Sequence, residues 1–416
     1  MPHTSNRDAS PTSALEGLRI VEVASLAGAY AGKLFANLGA DVILVEPPGG
    51  AATRHRAPFV DGQAGPDRSI EFIYLNNGKR SVTLDLDTAE GQAGFRALAA
   101  ECDLVIEGER PGLMAQRGLA YPDLLNCAPS LIMTSVTPFG QTGPYSLYES
   151  EDLVALAMGG FLTISGYPDR EPTRIHGNQS FLTAGLYAAI GSMLAILERD
   201  GSGVGQHVDV SIQECVVMAL ENVIQFYDLE GRVRQRSGLT QRYTGAGLFP
   251  CQGGYVYVFV GGLAATRFWG ELVRWLREER AVGVERLDGE HWTERAFRET
   301  KEARDTFAEV FGPFAAERTS QDLYYAAQRR RIPLSPVATA ADVVSNRQIR
   351  DRGFIVSLFS PALDREIAFP GAPYMLSRTP WAATRPAPRA GEHNDEILGA
   401  LAALPAQASR VVSEGV

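Results

Sequence analysis

The sequence predicts an α/β protein whose first half is a doubly wound layer of parallel strands and helices. Three observations carry that prediction. "LRIVEVA" (18–24) is a short apolar, β-branched run of the kind that forms a buried strand. "GAYAGKLFANLGA" (28–40) follows as a helix closed by Gly39. "DVILVEPP" (41–48) is a second strand, stopped by Pro47 and Pro48. Strand, helix and strand within about 30 residues make a βαβ unit, which requires parallel strands and a right-handed crossover.

The series continues with strands at "RSVTLDL" (80–86), "CDLVIEG" (102–108) and "SLIMTSV" (130–136). "AEGQAGFRALAAE" (89–101) is a helix between two of them. Residues 153–166 and 182–198 read as apolar helices, the second ended by "RDGSGVG". "QHVDVSIQE" (206–214) is a strand leading into a helix. Composition then shifts. "YDLEGRVRQRSGLTQRYTGAG" (227–247) is polar and glycine-bearing, as a domain linker is. "GYVYVFVG" (254–261) is a strand, and 268–300 and 303–331 carry helix-type charge over apolar faces. The proline-rich end, from "IPLSPVAT" (332–339) to "RPAPRAGEHNDEIL" (385–398), reads as extended chain that wraps back over earlier structure.

The chain has 416 residues, 45% hydrophobic and 21% charged, enough for a large core and two domains. Its formal net charge of -10, with no Lys/Arg tract, argues against a nucleic-acid partner. The apolar run "LYAAIGSMLAIL" (186–197) is too short to span a bilayer and reads as a core helix. The start, "MPHTSNRDASPTSA" (1–14), is polar, lacks the apolar stretch of a signal peptide and reads as a flexible tail. Cys102, Cys127, Cys215 and Cys251 are widely spaced in apolar contexts and read as small buried hydrophobes. The six histidines show no metal spacing, so neither a metal site nor a disulfide is expected, and the implied compartment is the reducing cytoplasm. The dinucleotide fingerprint G-x-G-x-x-G is absent after the first strand. "GAYAGKL" (28–34) is one residue short of a phosphate loop and has Leu34 where that loop needs Ser or Thr.

Six stretches, in this order, resemble the CaiB/BaiF family, the class III CoA-transferases and their acyl-CoA racemase relatives: "LEGLRIVEVASLAGAYAGKLFANLGADVILVEPP", "NNGKRSVTLDL", "PFGQTGPY", "EDLVALAMGGFLTISG", "GSGVGQHVDVSIQE" and "RPAPRAGEHNDEIL". The resemblance covers about 15–398. It implies a Rossmann-like large domain at 15–225, a smaller α+β domain at 226–332, and a segment, 333–416, that returns to the large domain. It also implies two chains interlocked as a dimer, with the active site between domains at the subunit interface. The substrates it implies are coenzyme A, an acyl-CoA such as succinyl-CoA and a carboxylic acid, with no covalently bound cofactor and no membrane partner.

A transferase of this family works through a single Asp. Its carboxylate attacks the thioester, and the resulting anhydride and enzyme-CoA thioester keep the energy of the original bond. The resemblance places that Asp about four residues before Gly185. Phe181 stands there, or Ser180 if the alignment is shifted by one. No Asp or Glu occurs anywhere in 172–197. Other positions depart too. Leu44 replaces a basic residue, Glu107-Gly108-Glu109 replaces E-N-F, and "AGAY" replaces A-G-P. Lys79, Arg80, Arg110 and Asp152 are retained. Lys79, Arg80 and Arg110 are the candidates for CoA phosphates; the plainer reading of Lys79 and Arg80 is an exposed basic pair beside a strand. Asp152 is a candidate displaced acid, or simply the cap of the helix that follows. The racemase branch needs a His at the start of that helix, where Ser150 and Glu151 stand.

Three readings result. In the first, the chain has lost its nucleophile and completes a hetero-oligomer with a paralogous subunit that carries the Asp; the family contains such pairs. In the second, it is a self-sufficient isomerase, racemase or lyase using a displaced acid. In the third, it is a non-enzymatic acyl-CoA-binding protein. "RYTGAGLF" (242–249) is a candidate mobile loop, because Gly245 and Gly247 free its backbone, or an ordinary linker turn.

Overall fold

The structure, a computed structural model, describes residues 13–236, 238, 241, 243–260, 266–381 and 385–403. The expected tail is described only at its last two residues, and Arg242 of the candidate loop lies outside the described residues. The chain divides into two compact units. The first comprises 1–161, 175–224 and 348–416, and the second 162–174 and 225–347.

The chain opens with β1 (Arg19–Val23), α1 (Leu26–Asn37), β2 (Asp41–Glu46), α2 (Ile70–Asn76), β3 (Arg80–Thr83), α3 (Ala89–Ala100) and β4 (Leu104–Glu107). There follow α4 (Leu113–Gln116), α5 (Tyr121–Leu125), β5 (Ile132–Thr137), α6 (Asp152–Met158), α7 (Phe161–Ile164), α8 (Gln179–Ser202), β6 (His207–Ser211), α9 (Ile212–Met218) and α10 (Val223–Glu230). The six strands form one parallel sheet in the order β3-β2-β1-β4-β5-β6. β1 therefore lies between β2 and β4, and the direction of winding reverses beside it. One face of the sheet packs with α1 and α8 around Ile20, Phe35, Ile106, Ile132 and Ala188. The other packs with α3 around Val21, Ile43, Phe95, Leu98 and Met133. The helix read at 153–166 is two short ones, because Gly160 sits at a φ of 83° that ends the first.

α8 is 24 residues long, twice the apolar run visible in the sequence, and long and apolar enough to cross a bilayer. Here it runs along α1 and the sheet, where Ser192 Oγ meets Thr134 Oγ1 at 2.7 Å. The two helices touch backbone to backbone. A Cβ at Gly185 would lie 2.7 Å from Tyr30 Cβ, so only glycine allows this approach.

α1 also covers the polar end of the sheet. Glu22 and Lys79, both fully buried, pair at 2.7 Å. The Lys79 ammonium donates in addition to Ala29 O and Asn76 Oδ1, both at 2.9 Å. A Cβ at Gly32 would lie 1.7 Å from Glu22 Oε2, so α1 has a glycine where it passes over this carboxylate. Beside the pair, Glu46 receives both Nε and Nη2 of the fully buried Arg54 at 2.6 and 2.7 Å, and the Ser81 hydroxyl at 2.6 Å. Arg54 also donates to Pro388 O at 2.9 Å, which ties the returning chain to the sheet.

The second unit holds β7 (Ala246–Cys251) and β8 (Gly254–Phe259), then α11 (Thr266–Glu278), α12 (Arg295–Arg298), α13 (Lys301–Ala316), α14 (Ser320–Arg329), β9 (Leu334–Pro336) and α15 (Ala340–Ser345). The strands form an antiparallel sheet, β7-β8-β9, over an aromatic core of Trp269, Trp275, Trp292, Phe307 and Phe311. The return to the first unit falls at 348 rather than 333, because β9 hydrogen-bonds to β8 and stays with the second unit. Residues 162–174 also go to the second unit; Gly238 N donates to Gly166 O at 3.0 Å.

α16 (Arg347–Asp351), the hairpin β10 (Ile355–Ser360) and β11 (Arg365–Pro370), and α17 (Asn394–Ala403) complete the chain. The segment before α17 covers the free edge of β3. Gly78 N donates to Arg385 O, His393 N to Ser81 O, and Thr83 N to Asn394 Oδ1, at 2.8 to 2.9 Å. An uncovered edge strand would offer the same groups to another chain. The four cysteines are free, and Cys127 is exposed rather than buried.

Burial pushes the Glu22 carboxyl up and the Lys79 ammonium down, so each holds its charge through the other. Lys79→Met should cost about 3–5 kcal/mol in urea denaturation, because it leaves Glu22 buried and unpaired. Adding Glu22→Leu should recover most of that loss. A single-variant cost below about 1 kcal/mol would show that the pair is not what holds α1 to the sheet.

Candidate functional site

In a doubly wound sheet, ligands bind beyond the carboxyl ends of the strands, where the winding reverses. Here that place is the end of β1 and β4. Ser25 caps α1, its hydroxyl accepting from Gly28 N at 3.1 Å. Gly108 follows β4 and closes against it; a Cβ there would lie 2.5 Å from Ser25 Oγ. Gly108 is thus required by packing, and an asparagine, as the family pattern has it, would not fit this local geometry. Glu107 turns inward and accepts from Glu109 N at 2.7 Å. Burial pushes its carboxyl up to about 7, with the negative charges of Glu109 and Asp209 adding to the effect. Ser135 and His207, 2.9 Å apart on the neighbouring strands, extend this polar row.

The start of α8 is where the nucleophile is expected. Ser180 is fully buried there. Its amide and hydroxyl both donate to Asp152 Oδ1, at 2.9 and 2.8 Å. Asp152, the first residue of α6 and 2% exposed, therefore caps α8 rather than its own helix, whose N-cap is Glu151. Phe181 is partly buried and packs against the apolar core beneath α1 and α8. The Asn178 side chain donates to Glu71, which pairs with Arg56 at 2.9 Å. Asp152 is the one carboxylate among these groups that touches Ser180, and it does so as a clamp.

The three predicted phosphate cations separate. Lys79 is no exposed basic group. Its three donors go to Glu22, Ala29 and Asn76, which leaves none for phosphate. Arg80 is held by Asp41 and by Glu396, the latter at 2.8 Å. Arg110 is exposed on the loop after β4 and has no side-chain partner among the described residues. Glu109 pairs with Arg117 at 3.6 Å. Leu44 is 1% exposed inside β2, so that substitution alters the core and not a surface contact. The expected loop at "RYTGAGLF" is a pinned turn where it is described. Thr244 is fully buried and donates its amide and hydroxyl to Arg298 O at 3.0 and 2.8 Å, and Gly247 lies inside β7.

One group escaped the sequence reading. Lys33, placed there in a failed phosphate loop, lies inside α1 and is 3% exposed. Its ammonium donates to Asn77 Oδ1 at 2.6 Å and sits 4.9 Å from the Tyr74 ring and 5.9 Å from the Phe369 ring. The signal was present: one Lys in a helix otherwise built of small and apolar residues.

Comparison with known proteins agrees with this architecture. The family model for CoA-transferase family III matches residues 15–394. The chain is 38% identical over 380 residues to the succinyl-CoA:(R)-benzylsuccinate CoA-transferase subunit BbsE of Thauera aromatica, covering 91% of this chain and 92% of that one. It is 33% identical to the succinyl-CoA–D-citramalate CoA-transferase of Chloroflexus aurantiacus, over 95% of each chain. The crystal structure of a CaiB/BaiF family protein from Brucella suis superposes with a TM-score of 0.83 at 30% identity, over 94% of this chain and 100% of that one. The chain belongs to CoA-transferase family III.

Glu107 gives a pH signature. Its folded pKa of about 7 lies above the ordinary 4.5, so the native state holds the proton more tightly than the unfolded chain. The stability it contributes is present below about pH 4.5 and lost as the pH rises through about 7, by up to about 3 kcal/mol. Urea denaturation of wild type and Glu107→Gln across that range should show the wild type alone losing this increment. The difference between the two isolates Glu107 from His207, whose imidazole burial pushes down. Parallel pH profiles would contradict the assignment.

Proposed function

We propose that this chain is the nucleophile-lacking subunit of a hetero-oligomeric class III CoA-transferase, interlocked with a paralogous subunit that supplies the catalytic Asp. The observation that carries the reading is the start of α8, where a buried Ser180 and a packed Phe181 occupy the expected carboxylate position. The relative BbsE, itself named as a subunit, supports it. So does the face of α8 bearing the exposed side chains Leu186, Ile190, Met193, Leu194 and Leu197. These recur at helical spacing, form one apolar stripe on a single chain, and are the kind of surface a partner subunit covers.

The chemistry explains why the partner must bring the acid. A carboxylate attacks the thioester carbonyl, expels CoA thiolate and becomes a mixed anhydride. The thiolate then attacks the enzyme's own carbonyl, releases the donor acid and leaves an enzyme-bound CoA thioester. The acceptor carboxylate reverses both steps. Ser180 could form only an ester, too stable to return the acyl group to CoA, and its hydroxyl is already bound to Asp152. In this reading the chain shapes the acyl-CoA and acid pocket and contributes Arg110 to the phosphates.

In the assembled enzyme, Ser180→Ala and Asp152→Asn should each leave turnover within a few-fold, whereas replacing the partner's Asp should abolish it. A loss of several orders of magnitude in either variant of this chain, with assembly intact, would place the chemistry here and support the displaced-acid reading instead. A complex inactive with every paralogous partner would favour a binding protein.

Titration calorimetry gives a second check. With Lys79 and Arg80 occupied, the isolated chain should bind CoA more weakly than micromolar, and Arg110→Ala should remove what remains. Micromolar or tighter binding by the isolated chain would refute this.

A further inference from the structure

We propose that Lys33 is the anchor of a carboxylate-binding site in the first unit, which takes an acid substrate of the transferase by its carboxylate group. The proposal rests on the transferase reading above for the identity of the ligand, but its evidence is the cluster itself.

Among the described residues, Lys33 is a buried cation without a counter-ion. Its hydrogen bond goes to the neutral Asn77, and its other neighbours are the rings of Tyr74 and Phe369. Glu22, the carboxylate that α1 covers, is already paired with Lys79. Burial, with the positive charge of Lys79 adding to it, holds the Lys33 ammonium down at about 8. A buried charge of this kind is costly unless something compensates it. An anionic group would do so and meet the two N–H donors that Asn77 leaves.

The surroundings select the kind of anion. Tyr30 stacks on Tyr74 with ring centroids 6.4 Å apart, and both are partly exposed. Tyr374, 45% exposed, lies near enough to Tyr30 to oppose its ionisation. These phenols form the solvent side of the cluster and can donate to an acceptor oxygen. A phosphate dianion needs more donors than one ammonium with two spare N–H groups supplies. A carboxylate carries one charge and suits an aromatic rim. Tyr374 also lines an apolar cavity of about 380 Å³ with Phe354, Met375, Leu376 and Trp381, room for the carbon body of an acid. Finally, Tyr30 packs directly on Gly185, one helical turn beyond Phe181. The site thus adjoins the position from which the nucleophile is missing.

Calorimetry on the isolated full-length chain, with succinate as the probe and succinamide and inorganic phosphate as controls, tests this without any partner subunit. Wild type should bind succinate and neither control. Lys33→Met should weaken succinate binding about tenfold or more, and Lys33→Arg should retain it. Because methionine keeps the aliphatic stem and removes an uncompensated charge, the variant should fold. If it does not, the ¹³C-dimethylated Lys33 signal of the wild type, titrated with and without succinate, decides the matter: a bound carboxylate raises the amine's pKa. Succinate binding unchanged in Lys33→Met, equal binding of succinamide, no succinate binding by wild type, or a Lys33 titration indifferent to succinate would each overturn the proposal. Saturation by phosphate in place of succinate would also overturn it, in favour of an ion site. Failure of the subunit reading would show separately, as activity of the chain without its partner.

Discussion

The architecture of the first unit depends on two buried ion pairs beneath α1. Glu22 on β1 and Glu46 on β2 end at the same edge of the sheet, and each needs a cation that the local sequence does not supply. Lys79 arrives from just before β3 and Arg54 from the segment after β2. Arg54 in turn holds Pro388, more than three hundred residues away in sequence. These carboxylates therefore fix, together, the height of α1 over the sheet, the entry into β3 and the path of the returning chain. Gly32 is the concession α1 makes to them. An ion pair at the surface would constrain none of this, since solvent screens it.

That scaffold is independent of the chemistry usually grafted on it. The end of α8 needs its first amides satisfied, and Asp152 does this through Ser180. Nothing in that arrangement requires an exposed acid one residue later. Phe181 instead adds apolar contact against the α1–α8 core. The fold of this region thus holds without a carboxylate at the start of α8. The same fold leaves an apolar stripe of α8 exposed and closes the edge of β3.

Much of the first unit was legible in the sequence because its strands are buried on both faces and read as continuous apolar runs. β1, α1 and β2 emerged from such runs and from Gly39. In the sequence the second unit shows only strands and helices of unstated arrangement, since alternating patterns do not reveal which strands pair. β9 shows the limit. Its three residues look like the extended chain that follows them, and their hydrogen bonds to β8, not their composition, assign them to the second unit. Lys79 and Lys33 show the limit at the level of single residues. Both are lysines near glycines, and a charged residue is by default exposed. Only the positions of Glu22 and of the Tyr74 and Phe369 rings make one a structural cation and the other a buried, uncompensated one.

What the sequence by itself determined is the class of fold and the absence of a carboxylate at the start of α8. Both are written in consecutive residues: strand and helix periods in the one case, and a run from 172 to 197 without Asp or Glu in the other. What only the tertiary structure decided is which polar groups are available. Asp152 is bound to Ser180, Lys79 to Glu22 and Arg80 to Asp41, whereas among the described residues Arg110 stays open and Lys33 lacks a counter-ion. The reason is physical. A side chain's tendency to be charged or to donate is intrinsic to its type, but whether that capacity remains for a ligand depends on partners brought from distant parts of the chain.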